Sequence, residues 1–193
     1  MERVVIDFLT GQFAPWAFPA TEQAVELDIG CGRGSFTCQV AARYPERVVI
    51  GADVMVGRVR SLDRRVSREG IDNIRVLRTD AWELVARHLP DAAISRVHII
   101  CPDPWPKGKH RGNRLVTSEF LGRLATKLVP GGTLHLATDD LPYLDFMHRA
   151  IDPMPIFARD DSRIADLADM QSDFERQWAE QGIPTHHRGF RLV

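Results

Sequence analysis

The sequence predicts an α/β fold built on a mainly parallel sheet. Three observations carry this expectation. Apolar runs of strand length alternate with amphipathic helical patterns through most of the chain. The strand runs are close to continuously apolar, as strands buried on both faces are. Turn residues stand between the elements, with Pro130-Gly131-Gly132 as the clearest stop-and-turn.

In chain order, strands are expected at 24–29, 47–52, 74–78, 97–101 and 133–137. Helices are expected between and after them at 35–43, 55–69, 81–88 and 117–128. After Asp139 the rhythm changes. Residues 141–151 read as a helix, Pro153 and Pro155 interrupt, 170–181 read as a second helix stopped by Gly182, and 186–193 read as a closing strand. There is no internal repeat and no linker long enough to divide domains, so one domain is expected. It comprises a short N-terminal segment (1–23), a core (24–139) and C-terminal elements (140–193).

The chain has 193 residues with 44% hydrophobic and 26% charged side chains, ordinary for a soluble globular domain. No apolar stretch reaches the length of a membrane span, and MERVVIDFLTGQF lacks the basic-then-apolar order of a signal peptide. A cytoplasmic protein without membrane contact is expected. The three cysteines, Cys31, Cys38 and Cys101, form no paired zinc pattern and read as small buried residues. His186-His187 has no companion ligands in sequence and reads as part of the last strand, so no metal is expected. The formal net charge is −1, but arginines from Arg58 to Arg78 and the group Lys107, Lys109, Arg111 and Arg114 make two basic concentrations. Such patches suit an anionic partner, although arginines on a helix are commonly only its solvated face.

Ligands of open α/β sheets bind at the carboxyl ends of strands, so the residues following each strand are the informative ones. The first strand runs into Asp28-Ile29-Gly30-Cys31-Gly32-Arg33-Gly34. A dinucleotide turn, G-x-G-x-x-G, would need glycine at Ser35. D-x-G-x-G-x-G instead resembles the first motif of class I S-adenosylmethionine-dependent methyltransferases. Asp28 can there meet the cationic amino-acid end of the cofactor, with Gly30, Gly32 and Gly34 letting the backbone approach. Asp53 ends the second strand, where a carboxylate can accept from both ribose hydroxyls, and Asp80 ends the third, where one can accept from the adenine amino group. Each also reads as a helix cap, Asp80 especially.

The fourth strand ends in Cys101-Pro102-Asp103-Pro104-Trp105-Pro106-Lys107. Its three prolines exclude both helix and central strand. PDPWPKGKHRGNRLV closely resembles the loop of the bacterial tRNA (guanine-N7-)-methyltransferases. The PGG turn, Ala137-Thr138-Asp139 followed by Tyr143, Ser172-Asp173-Phe174-Glu175 and the final Gly-Phe-Arg strand follow in the same order as in that family. Asp28, Asp53 and Ser172 stand where glutamate, glutamate and threonine are common.

The resemblance implies a Rossmann-like class I methyltransferase fold: a mainly parallel seven-stranded sheet, helices on both faces and an antiparallel C-terminal strand. It implies S-adenosyl-L-methionine as cofactor, S-adenosyl-L-homocysteine as product and tRNA as partner, methylated at guanine 46 of the variable loop. Asp103 becomes the candidate catalytic residue at the donor methyl. Lys107, His110, Arg114, Asp139, Ser172, Asp173, Phe174 and Glu175 become candidate substrate residues. Trp105 reads as a core tryptophan supporting the loop, with base stacking as the alternative. Gly108 and Gly112 suggest a basic arm that orders only on RNA. Other readings stay open: methylation of another RNA or of a small molecule, or a non-catalytic RNA-binding subunit with this fold. The sequence is compatible with a monomer or a homodimer.

Overall fold

The computed structural model describes residues 22–193, with Phe18, Pro19 and the backbone of Val5–Asp7. The rest of the N-terminal segment lies outside the described residues. The elements are β1 (Val5–Asp7), β2 (Val25–Ile29), α1 (Ser35–Arg43), β3 (Val48–Asp53), α2 (Val56–Glu69), β4 (Ile74–Arg78), α3 (Ala81–Glu83), β5 (Ile94–Ile100), α4 (Ser118–Ala125), β6 (Leu128–Thr138), α5 (Leu141–Ile151), β7 (Phe157–Arg159), α6 (Asp173–Ala179) and β8 (His186–Leu192). α3 continues as a π-helical turn, Leu84–His88, and two 3-10 helices span Gly108–Asn113 and Asp161–Leu167.

The strands form one sheet in the order β1-β4-β3-β2-β5-β6-β8-β7, parallel except where β8 pairs with β6 and with β7. The mainly parallel sheet of the sequence reading is therefore present, with the three-residue β1 added at its edge beside β4. The three-residue β7 carried no periodic signal. The Pro130-Gly131-Gly132 turn falls inside β6, as a bulge that shifts the β5–β6 register between Ile94 and Arg96.

Alternation along the strands divides the core in two. Val25, Leu27 and Ile29 of β2, Val97 and Ile99 of β5, and Leu134 and Leu136 of β6 pack with Leu84, Phe120, Leu124, Tyr143 and Met147 on one face. On the other face Phe36, Val40, Val59, Leu62 and Val66 of α1 and α2 cover Val49, Val76 and Ile100, joined by Ile164 and Leu167. That second face also carries buried polar residues, because Glu26, Asp28, His98 and His135 occupy the opposite phase of β2, β5 and β6.

From β2 the chain winds outward through β3 and β4 on one side and reaches β5 and β6 on the other. The direction of winding therefore reverses between β2 and β5, which lie side by side. Crevices form at such reversals. Both sequence motifs open there, the glycine turn after β2 and the proline loop after β5. Among the described residues, no helix is long and apolar enough to cross a membrane.

Candidate active site

Two adjoining cavities of about 590 and 510 Å³ lie at this reversal and share Gly30, Arg58, Ile100 and Phe174 as walls. Gly30, Gly32 and Gly34 have φ of 78°, 58° and 81°, a region that residues with a Cβ avoid. At Gly34 a second reason applies, since a Cβ would sit 2.2 Å from Leu62 Cδ1. A Cβ at Gly30 would meet nothing within 4 Å, so the turn leaves open space above its backbone.

The first cavity is walled by this turn, by Asp28 and by Ser172, Asp173 and Phe174. Asp28 is 2% exposed and accepts from Thr37 Oγ1 at 2.6 Å. Burial pushes its carboxyl up to about 6, against the Thr37 hydrogen bond. Ser172 caps α6 in a reciprocal box: its Oγ accepts from Glu175 N at 3.2 Å while Glu175 Oε2 accepts from Ser172 N at 2.7 Å. Asp173 pairs with Arg176 at 2.7 Å, whereas the Phe174 ring is 41% exposed and faces both cavities. Glu175 is buried and does not reach the cavity wall; its contacts run inward.

The second cavity gathers Asp53, Asp80, Asp103, Trp105 and Asp139. Asp53 is buried and fastens the glycine turn to the start of α2, accepting from Met55 N at 2.8 Å and Gly32 N at 3.2 Å. Asp80 caps α3 through Oδ1, taking Trp82 N at 2.8 Å and Glu83 N at 3.2 Å, and is itself exposed. It is thus both a cap and a cavity residue. Asp139 is half-buried at the end of β6, near the Cys101 thiol. That thiol is pushed up to about 12 by burial and by the carboxylates of Glu175 and Asp139, which makes it an inert packing group.

Asp103 is exposed between Pro102 and Pro104, and the backbone around it is strained. Cys101 (φ 47°) and Trp105 (φ 43°) bracket it in the left-handed region, at about 1–3 kcal/mol each. The conformation is held by Cys101 N donating to Ala137 O at 2.8 Å and by Arg114 Nε donating to Pro104 O at 2.7 Å. Here the structure corrects two expectations. Arg114 is only 6% exposed, with its guanidinium over the rings of Tyr143 and Phe146, so it does not belong to an exposed phosphate-facing run. Trp105 is not a core residue: it is half-exposed on the cavity wall and meets His110 edge-on at 5.8 Å.

The basic arm also differs from the expectation of a segment without structure of its own. It forms the 3-10 helix Gly108–Asn113, closed by His110 N to Lys107 O and Arg114 N to Arg111 O, because Arg114 anchors its far end. Lys107, Lys109 and Arg111 are exposed along it.

Comparison with known proteins fits this geometry. Residues 22–187 match the family described as "Putative methyltransferase". A tRNA (guanine-N(7)-)-methyltransferase of Halorhodospira halophila is 38% identical over 99% of this chain and 81% of its own length. The chain belongs to the tRNA (guanine-N7-)-methyltransferase family. The enzyme of that name from Chlorobium phaeobacteroides is 36% identical over 85% of this chain and 79% of its own. Likeness to solved structures extends the fold beyond the family. The 16S rRNA methyltransferase KamB superimposes with a TM-score of 0.65 at 17% identity, covering 89% of this chain and 88% of that one. TrmN from Thermus thermophilus gives 0.64 at 21% identity, covering 88% and 44%.

Sequence reasoning missed the histidine row that ends on Glu175, in which His187 of β8 meets Glu175 and is joined through His135 of β6 to His98 of β5. Nothing in the local sequence around any of these histidines signals the others.

Proposed function

We propose that this chain is a cytoplasmic enzyme that transfers the methyl group of S-adenosyl-L-methionine to N7 of a guanine in tRNA, guanine 46 of the variable loop. The observation that carries the reading is a convergence. The rigid loop presenting Asp103 opens onto the same cavity as Asp53 and Asp80, at the reversal of the sheet. The two cavities fall in the range of small-molecule sites, roughly 300–1,000 Å³. Their carboxylates suit a cationic adenosine derivative, and the open face of the glycine turn leaves room for it.

The residues divide the work by position. Asp28 faces the cationic amino-acid end of the donor, across Gly30, Gly32 and Gly34. Asp53 accepts from the ribose hydroxyls and Asp80 from the adenine amino group through the oxygen its cap leaves over. When bound, the donor supplies an electrophilic methyl group on a sulfonium, and S-adenosyl-L-homocysteine is left as product.

Guanine N7 holds a lone pair in the plane of the base, so no general base is needed for attack. The protein's task is alignment, exclusion of water and tolerance of the positive charge that develops on the purine. Asp103 accepts from the guanine N1–H and amino group, which orients N7 and stabilises that charge. Trp105, Asp139 and Phe174 wall the space the base enters, while Ser172 and Asp173 wall the first cavity beside Asp28. Lys107, Lys109, Arg111 and His110 serve the RNA backbone, with position but no sequence read from phosphates. Glu175 and Arg114 act behind this surface, by holding α6 and the proline loop.

The test is incubation with labelled methyl donor and unmodified tRNA, followed by borohydride–aniline cleavage, which breaks the chain at N7-methylguanosine. Label in tRNA with cleavage at guanine 46 is expected. Label confined to another RNA or to a small molecule overturns the substrate, and no transfer with intact RNA binding overturns the enzyme reading.

A further inference from the structure

One line of side chains, buried except at its His187 end, takes no part in the chemistry above. On the α1/α2 face of the sheet, four strands and α6 supply Glu26 (β2), His98 (β5), His135 (β6), His187 (β8) and Glu175 (α6). They are joined end to end. Glu26 Oε2 meets His98 Nε2 at 2.9 Å, and His98 Nδ1 meets His135 Nδ1 at 3.2 Å. His135 Nε2 then meets His187 Nδ1 at 2.9 Å, and His187 Nε2 meets Glu175 Oε1 at 3.0 Å. Every ring nitrogen of the three histidines is used. The ring of Phe36 closes over His98 and His135 from α1, at 4.9 and 6.1 Å.

Counting hydrogens fixes the charge of this row. Ionised carboxylates only accept, so His98 Nε2 and His187 Nε2 must each carry a hydrogen. Each inner contact joins two nitrogens and needs one hydrogen as well. Four contacts need four hydrogens, and three neutral imidazoles supply three. We infer that the row holds one extra proton between Glu26 and Glu175, and that this proton positions the Ser172–Phe174 wall of the first cavity. The effect on ligand binding rests on reading that cavity as part of the donor site; the proton itself does not.

Three arrangements satisfy all four contacts, with the extra proton on His98, His135 or His187. They interconvert by moving hydrogens across the inner contacts. Burial pushes His135 well below the usual imidazole range, which disfavours the proton there. Arg47, bonded to Glu26, and Arg96, held by Asp166 at 2.9 Å, stand at the Glu26 end and repel a cation there. Asp28 lies level with His98 on β2, with its carboxyl raised by burial, and draws less charge toward that ring than an ionised acid would. At the other end His187 faces Glu175, with Asp139 beyond it near Cys101 and Arg188 next along β8. The extra proton therefore resides on His187, against Glu175.

The His187 side chain is 36% exposed while those of His98 and Glu26 are fully buried, so the row exchanges its proton with solvent at this end. Glu175 then transmits the charge. Its second oxygen holds Ser172 N, and Ser172 with Asp173 and Phe174 walls the cavity. His187 and Glu175 are positioning residues, acting through the α6 cap.

Nitrogen-15 spectra of histidine-labelled protein at pH 7 count the ring hydrogens directly. Four hydrogens on the three rings are expected, and three would overturn the inference. Donor affinity by calorimetry at pH 7 is expected to weaken about tenfold in His187→Gln, which keeps a donor toward Glu175 but carries no charge. Native affinity in that variant would remove the positioning role. Absence of donor binding to the native protein would instead overturn the donor-site reading, and the histidine spectra would still decide the proton.

Discussion

Arg114 Nε donates to the carbonyl of Pro104 at 2.7 Å, one residue beyond Asp103. The guanidinium is buried against Tyr143 and Phe146, so this bond ties the strained proline loop to α5. A loop carrying left-handed Cys101 and Trp105 keeps that conformation only if its surroundings overdetermine it. Arg114→Ala removes the tie, leaves Pro104 O without its partner and opens space beneath the aromatic rings. Turnover should fall at least about tenfold, since displacement by about 1 Å is enough to spoil alignment. Donor affinity, measured by calorimetry, should stay close to native. Native turnover in Arg114→Ala would mean the loop holds its shape without the arginine.

Asp103 is asked to orient a base and to balance charge, and no proton transfer is assigned to it. Asp103→Asn keeps the shape and loses the charge, so it should cost about a hundredfold in turnover, the scale of one preorganised electrostatic contact. Donor binding should survive, because Asp28, Asp53 and Asp80 are untouched. Single-turnover rates with tRNA in excess separate the two effects. An unchanged rate would remove Asp103 from the chemistry.

What the sequence made legible follows from how locally each feature is encoded. Strand and helix periodicities and the glycine turn are properties of neighbouring residues, and they emerged with the right type and order. The bulge at Pro130-Gly131-Gly132 did not, because a turn and a bulge have the same composition. Arg114 looked like its basic neighbours, and only the aromatic side chains of α5, distant in sequence, show that it is buried. The histidine row lies further still from local reading. His98 and His135 are register partners on β5 and β6, and His187 of the adjacent β8, opposite Ala137, reaches His135 diagonally; an isolated histidine in a strand carries no sign of that.

Lys107 and Arg114 stood together in the sequence as phosphate contacts, and the structure separates them. Lys107 is exposed at the start of the 3-10 arm; Arg114 is buried at its end. Lys107→Ala should therefore weaken tRNA binding and lower the slope of log affinity against log salt by about 1, the loss of one phosphate contact. Arg114→Ala should leave that slope unchanged. Titrations from low to moderate salt by fluorescence anisotropy measure both. Equal reductions in the two variants would mean that the arm moves as a unit when Arg114 is lost.

Asp28 sets the acid limb of donor binding. Its carboxyl stands at about 6 in the folded chain against an ordinary 3.8, with burial as the main cause. The folded state thus binds this proton more tightly than the unfolded state does. The group favours folding below about pH 3.8, and that contribution is lost as pH rises through 6. A cationic donor needs the ionised form, so its affinity should decline as pH falls below about 6, approaching tenfold per unit. Binding at pH 5.5 should also release a proton, seen as a dependence of the measured enthalpy on buffer ionisation heat. Asp28→Asn should bind about tenfold more weakly at pH 7, show no acid limb and release no proton. Enthalpies independent of buffer in the native protein at pH 5.5 would place the donor's charge away from Asp28.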